Sequence, residues 1–290
     1  MLEVREFQIG DTERVERLLS AIWRDKSSYV SYLSRHSVVA FVALEGGELC
    51  GFSSLFTNPY HPERDYIGIH VPPEHRHRGI GERLFVALRT HFRRGRKIQT
   101  ITLFPEAKRF LERYGFLELM RTYEPVLEVG KAKLHETHLP PGYSLETLAA
   151  NRFLPLEIAR LHAQIYAEQH TWNATAAFDD RTVIDEFMTD VIPEALHLIV
   201  FRDQPIAVSS LRGHAPVMDL MWFGVLNSHA DHRTDLTRAL LNAALEYALT
   251  NGVRQIRAEL DSLIPEAMIA LESLPFEPCE PWIIMISNGI

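Results

Sequence analysis

The sequence predicts an α/β protein, a mixed sheet with helices, built as two tandem copies of one fold. Three observations predict it. Strand-like apolar runs and helical stripes alternate from the first residues onward. One such run, Tyr66 to Val71, passes through two prolines and a basic turn into a helix that opens with two glycines. A stretch of each half also aligns without a gap: Pro105-Glu106-Ala107, Leu111-Glu112 and Phe116 match Pro265-Glu266-Ala267, Leu271-Glu272 and Phe276. That is a repeat of about 150 residues.

In the first half, Leu2 to Phe7 alternates as a strand, and Asp11-Thr12-Glu13 caps a helix carrying Val15, Leu18, Leu19 and Ile22. A second helix is expected from Lys26 to Leu33. Val38 to Leu44 and Leu49 to Phe56 form a hairpin around Gly46-Gly47. After the Tyr66 to Val71 strand, Ile80, Leu84, Leu88 and Phe92 make a helical stripe. Ile98 to Phe104 is a strand, Glu106 to Tyr114 a helix stopped by Gly115, and a strand pair lies beyond. The order is β-α-α-β-β-β-α-β-α-β.

Lys131 to Gly142 has linker composition, which places the domains at residues 1–135 and 136–290. A second round follows. Tyr143 to Leu148 is a strand and Leu154 to Tyr166 a helix; Leu196 to Phe201 and Ile206 to Leu211 form a hairpin. Asp219 to Val225 echoes Asp65 to Val71.

The chain has 290 residues, 46% hydrophobic and 23% charged, as in soluble globular proteins. No apolar run reaches the roughly 18 residues of a membrane span, and the first residues lack a signal core. Cys50 and Cys279 make no disulfide framework, so a reducing cytoplasm is expected. Residues 1–135 hold 21 basic and 17 acidic side chains, net +4; residues 136–290 hold 9 and 21, net −12. The excess positive charge around Arg76–Arg78 and Arg89–Lys97 suits a phosphate-bearing ligand. Nucleic acid is an unlikely partner for so acidic a chain. His61, His70, His75 and His77 have none of the spacings of a zinc site, so no metal is expected.

The strand–turn–helix at Tyr66–Leu84 has the character of an anion site. Glycine permits φ > 0 and close approach of the backbone. The unpaired N–H groups of the helix start then point outward at the positive end of the dipole. A P-loop would need Gly-Lys-Ser/Thr, which is absent, and a dinucleotide turn would need a third glycine where Leu84 stands. Val71, Pro73, Arg76, Gly79 and Gly81 meet every marked position of Val-x-Pro-x-x-Arg/Gln-x-x-Gly-x-Gly/Ala. This resembles the pyrophosphate-binding motif of the GNAT acetyltransferases.

The resemblance implies acetyl-CoA as cofactor, held by Ile69, His70, Val71, Arg76, His77, Arg78, Gly79, Ile80, Gly81 and Glu82. It implies transfer of the acetyl group to an amine of a small molecule or peptide, by a monomer or homodimer. In the family the motif strand splays from its neighbour, and its free N–H groups meet the acetyl carbonyl; here that stretch is Ile69 to Val71. Asp65 resembles the place of the catalytic base, with His70 and Glu74 as runners-up. The family's acid is a tyrosine in Asn-x-x-Ala-x-x-x-Tyr-x-x-x-Gly-Phe. Ala107, Gly115 and Phe116 fit, but Phe104 and Leu111 replace the asparagine and the tyrosine. Tyr114 and Tyr123 are the substitute acids. Trp23, Tyr29, Tyr32 and Tyr123 are candidates for the acceptor pocket. The second copy reads Leu226-Asn-Ser-His-Ala-Asp-His-Arg-Thr-Asp235, with no glycine and a carboxylate where the anion would lie, so it is expected to be degenerate. The two missing side chains also leave open a non-catalytic acyl-CoA-binding or scaffold protein.

Overall fold

The computed structural model describes residues 1–23, 37–134 and 136–288. The expected helix from Lys26 to Leu33 lies outside them. The first half runs β1 (Leu2–Glu6), α1 (Thr12–Ile22), β2 (Ser37–Glu45), β3 (Glu48–Thr57), β4 (Arg64–His70), α2 (Ile80–Arg89), β5 (Lys97–Thr102), α3 (Pro105–Glu112), β6 (Leu117–Tyr123) and β7 (Val126–Glu128). The second half runs β8 (Tyr143–Thr147), α4 (Pro155–Gln169), α5 (Asp180–Phe187), β9 (Val191–Phe201), β10 (Gln204–His214), β11 (Val217–Val225), α6 (Arg233–Thr250), β12 (Gln255–Ala258), β13 (Leu260–Asp261), α7 (Pro265–Ser273) and β14 (Trp282–Ser287).

Packing divides the chain into two units that do not follow the repeat boundary. The first is Met1–Leu119 with Asn173–Ala176 and Ile283–Ile290; the second is Met120–Trp172 with Ala177–Trp282. In the first unit β1 to β5 lie in chain order, and residues 283–287 of β14 close the edge of β5 from Ile283↔Thr102 to Ser287↔Ile98. Met285 is fully buried there, with Ile98, Leu88 and Phe116. A short piece of the second half also joins this unit. Ala176 N donates to Tyr60 O (2.8 Å), His61 Nδ1 to Asn173 O (2.8 Å), and Asn173 Nδ2 to the Tyr66 hydroxyl (3.1 Å).

In the second unit a six-stranded sheet has the order β7-β12-β11-β10-β9-β8. The expected strand pair after Gly115 is corrected. β6 and β7 do not pair with each other: β6 pairs with β13 and β7 with β12. Alternation locates a strand but carries no information on which sheet edge it meets.

Amphipathic faces account for the helices. α1 buries Val15, Leu18 and Leu19 against Val42, Phe52 and Tyr66. α2 buries Ile80, Leu84, Phe85 and Leu88 against Ile67 and Ile98.

Two expectations follow. Residues 1–135 expressed alone lack β14, leaving the β5 edge open and a gap where Met285 sits. This fragment should associate and bind a hydrophobic dye, as checked by gel filtration and dye fluorescence; a stable, dye-silent monomer would contradict it.

The second concerns acid. Burial pushes His70 and His162 down to about 3 and His197 to about 4, against about 6.5 unfolded. The unfolded chain therefore takes up these protons first. The stabilising contribution is complete above about pH 6.5 and is lost as pH falls toward the folded values, by at most about 1.4 kcal/mol per pH unit for each histidine. Two of the three, with Trp172, Trp222 and Trp282, lie in the second unit. Tryptophan-monitored urea midpoints should fall steadily from pH 6.5 to 4; a flat profile would contradict the buried neutral imidazoles.

Candidate active site

β4 and β5 are parallel, and their register holds for three pairs only: Arg64↔Lys97, Asp65↔Ile98 and Tyr66↔Gln99. Beyond Tyr66 the strands part, while the other edge of β4 stays on β3 as far as Phe52↔His70. A cleft of about 640 Å3 opens in the gap. One wall is Gly68 to Val71 and the facing wall Thr100 to Thr102; Phe104, Ala107, Phe110 and Leu111 enter from the α3 side. The turn from His75 to Gly79 and the first residues of α2, Ile80 to Glu82, also line it, with the exception of Arg78.

Gly79 caps α2 at φ 77°, ψ 1°. A Cβ there would meet nothing within 4 Å, so the left-handed backbone, and not space, calls for glycine. At Gly81 a Cβ would stand 3.9 Å from both Val71 and Phe110, two residues of the cleft. Its absence leaves the helix start bare on the side where an anion would approach. The residues present thus fit a pyrophosphate-bearing cofactor.

Arg76 ties the walls together. Its Nε donates to Val71 O (3.1 Å), its Nη1 to Glu106 Oε1 (2.8 Å), and its guanidinium lies 4.6 Å over the Phe104 ring. His70 is buried beside the gap, and Trp23 Nε1 donates to its Nδ1 (3.2 Å). That bond puts the imidazole proton on Nε2. With its pKa held near 3 by burial, His70 stays neutral and is a weak base.

The expected cofactor residues Ile69, His70, Val71, Arg76, His77, Gly79, Ile80, Gly81 and Glu82 all line this cleft. Arg78 does not; it pairs with Glu45. The three expected catalytic side chains are elsewhere. Asp65 is only 1% exposed, and its oxygens accept from Arg93 and Arg96. It ties β4 to the segment before β5 and is not among the residues lining the cleft. Tyr114 packs on Phe85, ring centroids 4.3 Å apart, and on Phe110 at 5.1 Å. α3 ends at Glu112, so the helical phase that would carry Tyr114 round to Leu111 stops short. Tyr123 packs on the core of the second unit. Glu74 is exposed and not among the lining residues. Of the acceptor candidates, Trp23 lines the cleft, and Tyr29 and Tyr32 lie outside the described residues. Sequence reasoning missed Ile22, the Thr100–Thr102 wall, Arg109 and Arg113. The expected splay itself was the signal for the wall, because whatever faces Ile69–Val71 must come from the parallel neighbour.

The second unit repeats the divergence and fills it. β11 and β12 pair in parallel from Val217↔Gln255 to Leu220↔Ala258 and then separate. Glu266, the counterpart of Glu106, is buried in the second unit; it accepts from Gln169 Nε2 (3.3 Å) and Val225 N (3.4 Å) and lies 3.0 Å from Arg233 Nε. Gln169 Nε2 also donates to Phe223 O (3.2 Å). A carboxylate of the chain itself thus meets the freed end of β11.

Residues 4–116 match the sequence model of the acetyltransferase (GNAT) family. Among solved structures, a GCN5-related N-acetyltransferase from Sphaerobacter thermophilus is similar over 100% of this chain and 96% of its own, at 13% identity and TM-score 0.66. A tandem GNAT protein from the clavulanic acid biosynthesis pathway is similar over 100% and 99%, at 16% and 0.62. Residues 4–116 thus carry a domain of the GNAT family. The chain's fold is a tandem GNAT fold, and a glucosamine N-acetyltransferase region of a fungal multi-domain β-N-acetylglucosaminidase shares it over 99% of this chain and 38% of that one (12%, TM-score 0.67). No curated protein matches the sequence. Among the described residues, no three His, Cys, Asp or Glu side chains converge as a metal site, and no helix is long and apolar enough to cross a membrane.

The Arg76 tie is testable. Arg76→Met and Glu106→Gln, combined in a double-mutant cycle of thermal unfolding, should give a coupling of about 0.5–1.5 kcal/mol. A coupling indistinguishable from zero would mean that the pair does not join the walls.

Proposed function

We propose that the first unit is an acetyl-CoA-dependent N-acetyltransferase acting on an amine. The observation that carries this reading is the meeting, in one cleft, of the unpaired end of β4 with the Gly79–Gly81 helix start. When bound, acetyl-CoA supplies a thioester already activated toward acyl transfer. Gly79, Ile80, Gly81 and Glu82 hold the pyrophosphate through backbone N–H groups. The Ile69–Val71 backbone, without a partner on β5, polarises the carbonyl. Neutral His70, pinned by Trp23, lines the cleft without adding charge. With the thioester held there, the amine nitrogen would form the C–N bond as the C–S bond breaks, its proton passing to water and the thiolate leaving; the conjugate base of a thiol with a pKa near 8.5 would depart without a strong acid.

Leu111 and Phe104, both in the cleft, favour a second reading: an acyl-CoA-binding protein without turnover. One experiment separates the two. Calorimetry should give one acetyl-CoA site per chain, abolished by Gly79→Asp, and thiol release over a panel of primary amines should detect turnover. Tyr114→Phe should leave that turnover within a few-fold, because its ring lies against α2. Binding without release from any amine supports the second reading; two equivalent sites per chain would overturn the assignment of the site to the first unit.

A further inference from the structure

The first unit holds a second pocket of about 350 Å3, toward the C-terminal end of α2. Phe85, Phe92, Tyr114 and Phe116 give it an aromatic lining, with Phe85 in edge contact with Phe92 (5.9 Å) and Phe116 (6.3 Å). Arg89 and Arg113 stand on the same pocket. Both are solvent-exposed, and among the described residues neither makes an ion pair. Burial first, and the Glu82 carboxylate second, raise the Tyr114 hydroxyl above its usual pKa. Both arginines end helices, Arg89 closing α2 and Arg113 capping α3. Two full charges there face about half a negative charge at each helix end, so positive potential is left over.

An aromatic lining with two guanidinium forks suits a ring that carries a carboxylate. At about 30 Å3 per water-sized group, the volume holds roughly ten heavy atoms. Arg113 also lines the cleft. We propose that this pocket is a second ligand site, taking a small aromatic carboxylate, and that its occupancy weakens anion binding in the cleft through Arg113. The second clause rests on the function proposed above; the first does not. Linkage makes the effect reciprocal.

The probe is 4-fluorobenzoate, followed by fluorine NMR on the full chain. One saturable site per chain is expected, at least tenfold weaker in Arg89→Ala, with benzyl alcohol and acetate each binding at least tenfold more weakly. Circular dichroism checks that the exposed Arg89→Ala change leaves the fold intact. Absence of saturable binding, or binding indifferent to Arg89→Ala, overturns the site. Saturating 4-fluorobenzoate should then raise the Kd for acetyl-CoA severalfold to a plateau. A rise without a plateau places the probe in the cleft and overturns the proposal. Failure of acetyl-CoA to bind at all bears on the function of the cleft, while the fluorine titration decides the pocket independently.

Discussion

The hydrogen-bond ladder between β4 and β5 stops after Tyr66↔Gln99, and the cleft of the first unit depends on that stop. Backbone N–H and C=O groups are obligatory hydrogen-bonding groups. Where two parallel strands part inside a sheet, the groups they release must face water, a side chain or a ligand. In the first unit they face a cleft, and the Gly79 turn brings the start of α2 to the same opening. Arg76 spans from Val71 to Glu106 and holds the two sides at fixed separation.

The second unit meets the same constraint in another way. β11 leaves β12 after Leu220↔Ala258, but Glu266 and Gln169 supply partners from within the chain, to Val225 N and Phe223 O. Glu106 and Glu266 occupy matching places in the repeat. Glu106 is partly exposed and faces one arginine; Glu266 is buried and reaches the strand end itself. One carboxylate therefore leaves its cleft open, and the other closes it by satisfying the groups a ligand would have used.

The halves of the chain are chemically distinct and structurally interleaved. The last strand, residues 283–287, completes the sheet that carries the cleft, and β7 of the first half completes the second sheet. The stability of the cleft is thus tied to residues more than two hundred positions away from Gly79.

The sequence by itself determined most elements of the first half, the tandem repeat and the glycine turn before α2. Periodicity reports which residues share a face, and only a few residue types fit a left-handed helix cap. That is why Gly79 and the apolar stripe of α2 could be read directly. Tertiary structure alone decided the rest. Asp65 reads as an acid near the motif until Arg93 and Arg96 close on it from beyond α2. Tyr114 reads as a neighbour of Leu111 until α3 ends at Glu112 and the ring falls on Phe85. Likewise β14 is an apolar run with no stated destination until it meets the edge of β5. Each of these outcomes is a contact between residues far apart in the chain. A local pattern fixes the direction of a side chain within its own element, but its partner is set by packing.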